Sequence, residues 1–141
     1  MRLTVTRRTD LAIRAIRVLD ARSGSMHGDE LAASIGTTRG FLAQVMAPLV
    51  RARWVRSTPG PLGGYRLRGP LAEITVLAVI EAVEGPIAGT PCVLKPDRDC
   101  VSTGPTPDGP CALHEAWVSA RSALRAELGR SPVISAGSAD H

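Results

Sequence analysis

From Asp10 to Ala21, polar residues recur every three or four positions (Asp10, Arg14, Arg17, Asp20). Leu11, Ile13, Ile16, Val18 and Leu19 lie between them. That spacing predicts an amphipathic helix with one buried face, and Thr9 or Asp10 can cap its start. A polar break at Arg22-Ser23-Gly24-Ser25 follows. A second helix is expected from about Gly28 to Ile35, with Leu31 and Ile35 on one face and Gly36 as its stop. Thr37 or Thr38 then caps a third helix, whose inner face reads Phe41, Leu42, Val45, Met46 and Leu49. Two short helices joined by a tight glycine-containing turn form a helix-turn-helix pattern.

Beyond the third helix the pattern changes. Trp54-Val55-Arg56-Ser57-Thr58 reads as a strand, 59–64 as a Pro/Gly turn and Tyr65-Arg66-Leu67-Arg68 as the returning strand. Tyr65 and Leu67 fall on one side of that strand, Arg66 and Arg68 on the other. A hairpin directly after a recognition-helix candidate is the layout of a winged helix. Its glycines are no phosphate-binding loop, because no Gly-Lys-Ser/Thr follows and no helix opens there. Thr75 can cap a fourth helix carrying Val76, Val79, Ile80 and Val83, which ends at Gly85.

Residues 86–110 hold six prolines and no credible element, and structureless stretches of that length are usually functional or disordered. A final helix begins at Cys111, with Leu113, Trp117, Leu124 and Leu128 in a narrow stripe that suits a helix–helix seam. The tail 129–141 is Ser/Ala/Gly-rich and reads as disordered. The fold class is thus mainly α with a small β-hairpin wing. The expected organisation is a winged-helix DNA-binding domain over 1–85, a cysteine-bearing loop over 86–110, a dimerisation helix over 111–128, and the tail.

Composition narrows the function. The 141 residues make one domain with an appended element. Hydrophobic residues are 44% but aromatics only 3%, so Ala, Val, Leu and Ile must build the core. No apolar run approaches the ~18 residues of a membrane span, and the start has no signal-peptide core, so a cytoplasmic protein is expected. Residues 1–70 hold twelve arginines against four acids, a net of +8, whereas 71–141 carry −4. A basic first half points to a polyanion. Sixteen of the seventeen cations are Arg, which suits bidentate phosphate and base contacts or reflects genome composition. Only three histidines exist and none sits in a catalytic motif, so no enzyme and no small-molecule substrate is expected.

The remaining chemistry is Cys92-x7-Cys100-x10-Cys111-x2-His114. The close ligand pairs of structural zinc sites are missing. Soft thiolates select zinc, Cu(I) or an iron–sulfur cluster, and cysteines on a loop suit a cluster; the plain alternative is three unrelated cysteines. His114 shares a helix face with Cys111, either as a fourth ligand or as a polar residue near a helix start.

The chain closely resembles the bacterial winged-helix iron–sulfur regulators of the IscR, NsrR and RirA kind. The matching stretches are Met1-Arg2-Leu3-Thr4, Thr9 to Arg14, Leu42-Ala43-Gln44-Val45-Met46, Gly60 to Leu67, Ile74-Thr75-Val76 with Glu84-Gly85, and Cys92, Cys100 and Cys111 with His114. They run from Met1 to about Leu128. The resemblance implies a homodimer joined through the long C-terminal helix. It implies an iron–sulfur cluster (2Fe–2S or 4Fe–4S) held by Cys92, Cys100 and Cys111, whose state controls promoter binding. The fourth ligand would be His114, as in IscR-like members, or Asp10 of the partner subunit, as in NsrR-like ones. Three features depart from the family. The cysteine spacings are longer than usual, a common recognition-helix glutamate is Ala43, and a common wing-tip arginine is Pro59. Pro48 also falls late in the recognition helix, where an interior proline costs about 3 kcal/mol or bends the axis.

The resulting expectation is a dimeric regulator, a repressor by preference, sensing nitric oxide, redox state or iron–sulfur supply. Thr38, Arg39 and Gln44 would enter the major groove of a double-stranded operator. Arg51, Arg53, Arg56 and Arg66 would meet phosphates around the wing. The alternative keeps the DNA-binding module and makes the thiols a cluster-free redox or zinc switch.

Overall fold

A computed structural model describes residues 4–68, 71–86 and 112–134. They form α1 (Arg7–Arg22), α2 (Gly28–Ile35), α3 (Arg39–Arg51), β1 (Val55–Thr58), β2 (Gly64–Leu67), a 3-10 turn (Leu71–Glu73), α4 (Val76–Glu84) and α5 (Ala112–Arg130). The mainly helical architecture with one antiparallel hairpin is the winged helix expected from the pattern.

Helix α1 starts a turn earlier than its hydrophobic spacing suggests. Thr6 is the N-cap, and its hydroxyl oxygen accepts the Thr9 amide at 3.3 Å. The expected caps do other work. Thr9 is wholly buried and its hydroxyl donates to Glu84 Oε2 at 2.6 Å, while Asp10 pairs with Arg14 one turn on. The extra turn, Arg7-Arg8-Thr9, is polar throughout, so it leaves no mark in the apolar periodicity. For α3 and α4 the expected caps hold: Thr38 accepts the Phe41 amide and Thr75 the Ala78 amide. Gly36 ends α2 at φ +77°, a conformation open to glycine at little cost.

Leu11, Ala15, Ile16 and Leu19 of α1 pack with Leu31 and Ile35 of α2, Leu42, Val45, Met46 and Leu49 of α3, and Val79 and Val83 of α4. The aliphatic residues carry this core, as the low aromatic content requires. Pro48 is buried inside α3, and the helix continues through it to Arg51. Its ring removes the amide that would otherwise donate to the Gln44 carbonyl.

The hairpin pairs Val55 with Leu67, Arg56 with Arg66, Ser57 with Tyr65 and Thr58 with Gly64. Met26, just before α2, adds a single-residue bridge to β2 by exchanging two backbone hydrogen bonds with Tyr65, at 2.8 and 2.9 Å. That approach demands glycine next door, because a Cβ on Gly64 would lie 2.3 Å from the Met26 carbonyl oxygen. The wing is thereby tied to the base of the helix-turn-helix.

The chain divides into two compact units, residues 1–86 with 129–141, and residues 87–128. The expected tail from 129 onward needs correcting for its first part. Gly129 and Arg130 complete α5, the Val76 amide donates to the Ser131 carbonyl, and the Val133 amide donates to that of Ile74. Val133, 7% exposed, joins the core, with Ile134 packed against it. Two consecutive apolar residues inside a Ser/Ala/Gly-rich stretch are too short a signal to register as periodicity. Residues 135–141 lie outside the described residues.

In the second unit, α5 leaves Leu113 (49% exposed), Val118 (40%) and Leu124 (38%) open to solvent, with Trp117 half-buried. Among the described residues no helix is long and apolar enough to cross a membrane.

Candidate nucleic-acid interface

The face of α3 opposite the core carries Arg39, Gly40, Ala43 and Gln44, all exposed, followed by Arg51 in the last turn. This face follows from the cap and the buried positions. Once Thr38 fixes the start and Leu42, Val45, Met46 and Leu49 turn inward, Gln44 can only point outward. Thr38 is exposed too, with its oxygen engaged in capping.

Arg53 occupies the bend between α3 and β1 at φ +64°, a left-handed conformation that costs a non-glycine residue about 1 kcal/mol. Amides of Arg53 and Trp54 donate to the Val50 and Leu49 carbonyls and hold the bend. The strained residue is therefore a cation fixed at the foot of the wing. Further along, Arg56 and Arg66 are direct cross-strand partners, and both are exposed. Like charges facing each other destabilise a hairpin, and among the described residues neither has an acidic partner. The arrangement suits a polyanion.

Between α3 and the wing lies a cleft of about 300 Å³, bordered by Arg39 and Ala43 on one side and Ser57, Thr58, Pro59 and Gly60 on the other. Recognition-helix candidate and wing thus share one surface. Sequence reasoning missed two members of it. His27 and Gly28, at the start of α2, complete the cleft wall. Asp29 holds the Arg39 guanidinium through Nη1–Oδ2 at 2.8 Å. Ten residues in sequence separate that pair on two helices, and no local spacing rule would have found it.

The expected cluster ligands fare differently. Cys92, Cys100 and Cys111 lie outside the described residues. Asp10 is half-buried on α1 and its carboxylate pairs with Arg14 Nε at 3.1 Å. His114 is half-buried in the first turn of α5. Among the described residues no three His, Cys, Asp or Glu side chains gather as a metal site.

Residues 5–133 match the Rrf2 family, described as an iron-dependent transcriptional regulator. An HTH-type transcriptional regulator of Mycobacterium tuberculosis strain H37Rv is 32% identical over 130 residues, covering 89% of this chain and 76% of its own. The structure of CymR, the global cysteine regulator of B. subtilis, superposes at a TM-score of 0.73 with 23% identity, over 94% of either chain. T. potens IscR superposes at 0.67 with 19% identity, over 93% of this chain and 83% of its own. The two structures share the winged-helix fold, and the profile and the relative carry the kinship: the chain belongs to the Rrf2 family of transcriptional regulators and is not an enzyme.

Proposed function

We propose that this chain is a homodimeric, cytoplasmic repressor that binds a nearly palindromic operator and releases it when a thiolate-held iron–sulfur cluster is lost or modified by nitric oxide or oxidants. The observation that carries the DNA half is the shared surface of α3 and the wing, where Arg56 and Arg66 face each other with no acid between them. Thr38 and Gln44, with Arg39 at the N-terminal end of α3, enter the major groove. Arg51, Arg53, Arg56 and Arg66 lie along the flanking backbone. The stripe on α5 pairs with its copy, which covers Leu113 and Leu124 and sets two half-sites about one helical turn apart.

The cluster half rests on the chemistry of the donor set. Three thiols within twenty residues, with an imidazole three positions further on, fit a soft iron site better than a hard-cation one. Cys92, Cys100 and Cys111 would hold the cluster, completed by His114 or by Asp10 of the partner subunit. When bound, the cluster supplies a centre reactive toward nitric oxide and oxidants.

Anaerobic purification followed by absorption spectra, iron and sulfide analysis, and gel shifts on a selected operator tests the reading. Stoichiometric iron and sulfide, lost in the triple cysteine-to-alanine variant, and holo- and apo-forms of different affinity are the expected results. Operator binding that responds to thiol oxidation or zinc in an iron-free protein would replace the cluster with a thiol switch.

A further inference from the structure

The cleft between α3 and the wing has a one-sided chemistry. The residues with polar side chains that line it are Arg39, His27, Ser57, Thr58 and Tyr65. No carboxylate lines it. Gly28, Ala43 and Gly60 keep it open: a Cβ on Gly28 would come within 3.4 Å of Arg39 Nε, in contact with the side chain that closes one wall. Hydrogen-bond donors around an accessible recess, beside the unpaired arginines of the wing, describe a receptor for one anionic group of a larger polyanion.

Arg39 is already engaged. Asp29 Oδ2 stands 2.8 Å from its Nη1 and 4.0 Å from His27 Nδ1. A single carboxylate from outside the recess therefore pairs with the Arg39 guanidinium and lies beside the His27 imidazole. The two side chains of the ion pair are 60% and 69% exposed, so the pair is weak and exchangeable.

We propose that this cleft seats one phosphodiester of the DNA backbone, and that Asp29 is an internal competitor from which the phosphate takes Arg39. This rests on the DNA-binding reading above and refines it: the Arg39 guanidinium meets the backbone, and sequence discrimination falls to Gln44 and its neighbours on α3. Asp29 then acts as a tuning residue that lowers affinity for every sequence alike and leaves the preference for the operator unchanged.

The test is a double-mutant cycle on the full chain, with DNA affinity measured across a salt series. Asp29→Asn should tighten binding to operator and random duplex equally, by roughly two- to fivefold, the equilibrium equivalent of losing an exposed ion pair. Arg39→Ala should weaken both duplexes and lower the log–log salt slope by about 0.9, one phosphate's worth. The Asp29→Asn, Arg39→Ala double variant should match Arg39→Ala alone. Inorganic phosphate, titrated alone, should show no saturable binding below about 10 mM, since the rest of the duplex supplies most of the affinity. Thermal melts establish that each variant is folded.

A gain from Asp29→Asn that persists without Arg39 would mean a diffuse charge effect and would overturn the proposal. So would an Arg39→Ala variant that loses operator preference, which would make Arg39 a base reader. Tight binding of inorganic phosphate would reassign the cleft to a free anionic effector. If the wild-type chain binds no duplex at all, it is the DNA-binding reading that fails.

Discussion

The cross-strand arginines give a prediction with opposite signs for stability and function. Arg66→Gln removes one of two like charges that stand in direct register on the wing while keeping a long polar side chain. Two unit charges about 6 Å apart in water repel by about 0.7 kcal/mol, and screening over a Debye length of about 8 Å at physiological salt leaves roughly half of that. The folded protein should therefore gain a few tenths of a kcal/mol, seen as a rise in Tm of about 1–2 °C for a chain of this size. The gain should vanish at 1 M salt, where the Debye length is about 3 Å. DNA binding should move the other way, with weaker affinity for all duplexes and a salt slope shallower by about 0.9. Calorimetric melts at two salt concentrations, paired with fluorescence anisotropy over a salt series, read both effects. A variant that is less stable at low salt would refute the reasoning, and so would an unchanged DNA salt slope.

Gln44→Ala should cost about 1–3 kcal/mol on the selected operator and much less on random duplex, read by competition gel shift. Arg53→Gly should relieve the left-handed backbone and raise stability by up to about 1 kcal/mol while weakening DNA binding, checked by denaturant melts and anisotropy. Leu124→Glu should yield a monomer by sedimentation at micromolar concentration, because it puts a charge into the exposed stripe of α5. Val133→Ala should destabilise the first unit by about 1–3 kcal/mol in urea, and an unaltered midpoint would remove the C-terminal segment from the core.

The elements that were legible in sequence are those whose boundaries coincide with a change of chemistry. Gly36, Thr38, Thr75 and Gly85 each sit where a cap or stop residue meets an apolar period, and each bounds its helix as expected. The outward position of Gln44 was legible for the same reason. Misreadings arose where a polar residue is buried or an apolar one is isolated. Thr9 reads as a cap in sequence yet lies in the core against Glu84, and Val133 reads as tail yet packs inside. Partnerships between helices were invisible altogether. Arg39 announces a cation at the start of α3, but that Asp29 holds it depends on the angle between α2 and α3, which no one-dimensional spacing encodes.

The return of the C-terminal segment has a consequence for how this protein can be remodelled. Ser131 and Val133 bond to the backbone at the start of α4, while at its other end Arg8 donates to the Val83 carbonyl and Thr9 to Glu84, next to where the chain departs after Pro86. The nine residues of α4 thus span the exit and the re-entry points, about 13 Å apart at 1.5 Å per residue. Topologically, residues 87–128 are a cassette inserted into a scaffold that closes on itself. Any other insert whose ends meet that spacing leaves the caps, the core and the wing untouched. The inserted segment and the scaffold that carries the wing can accordingly diversify separately.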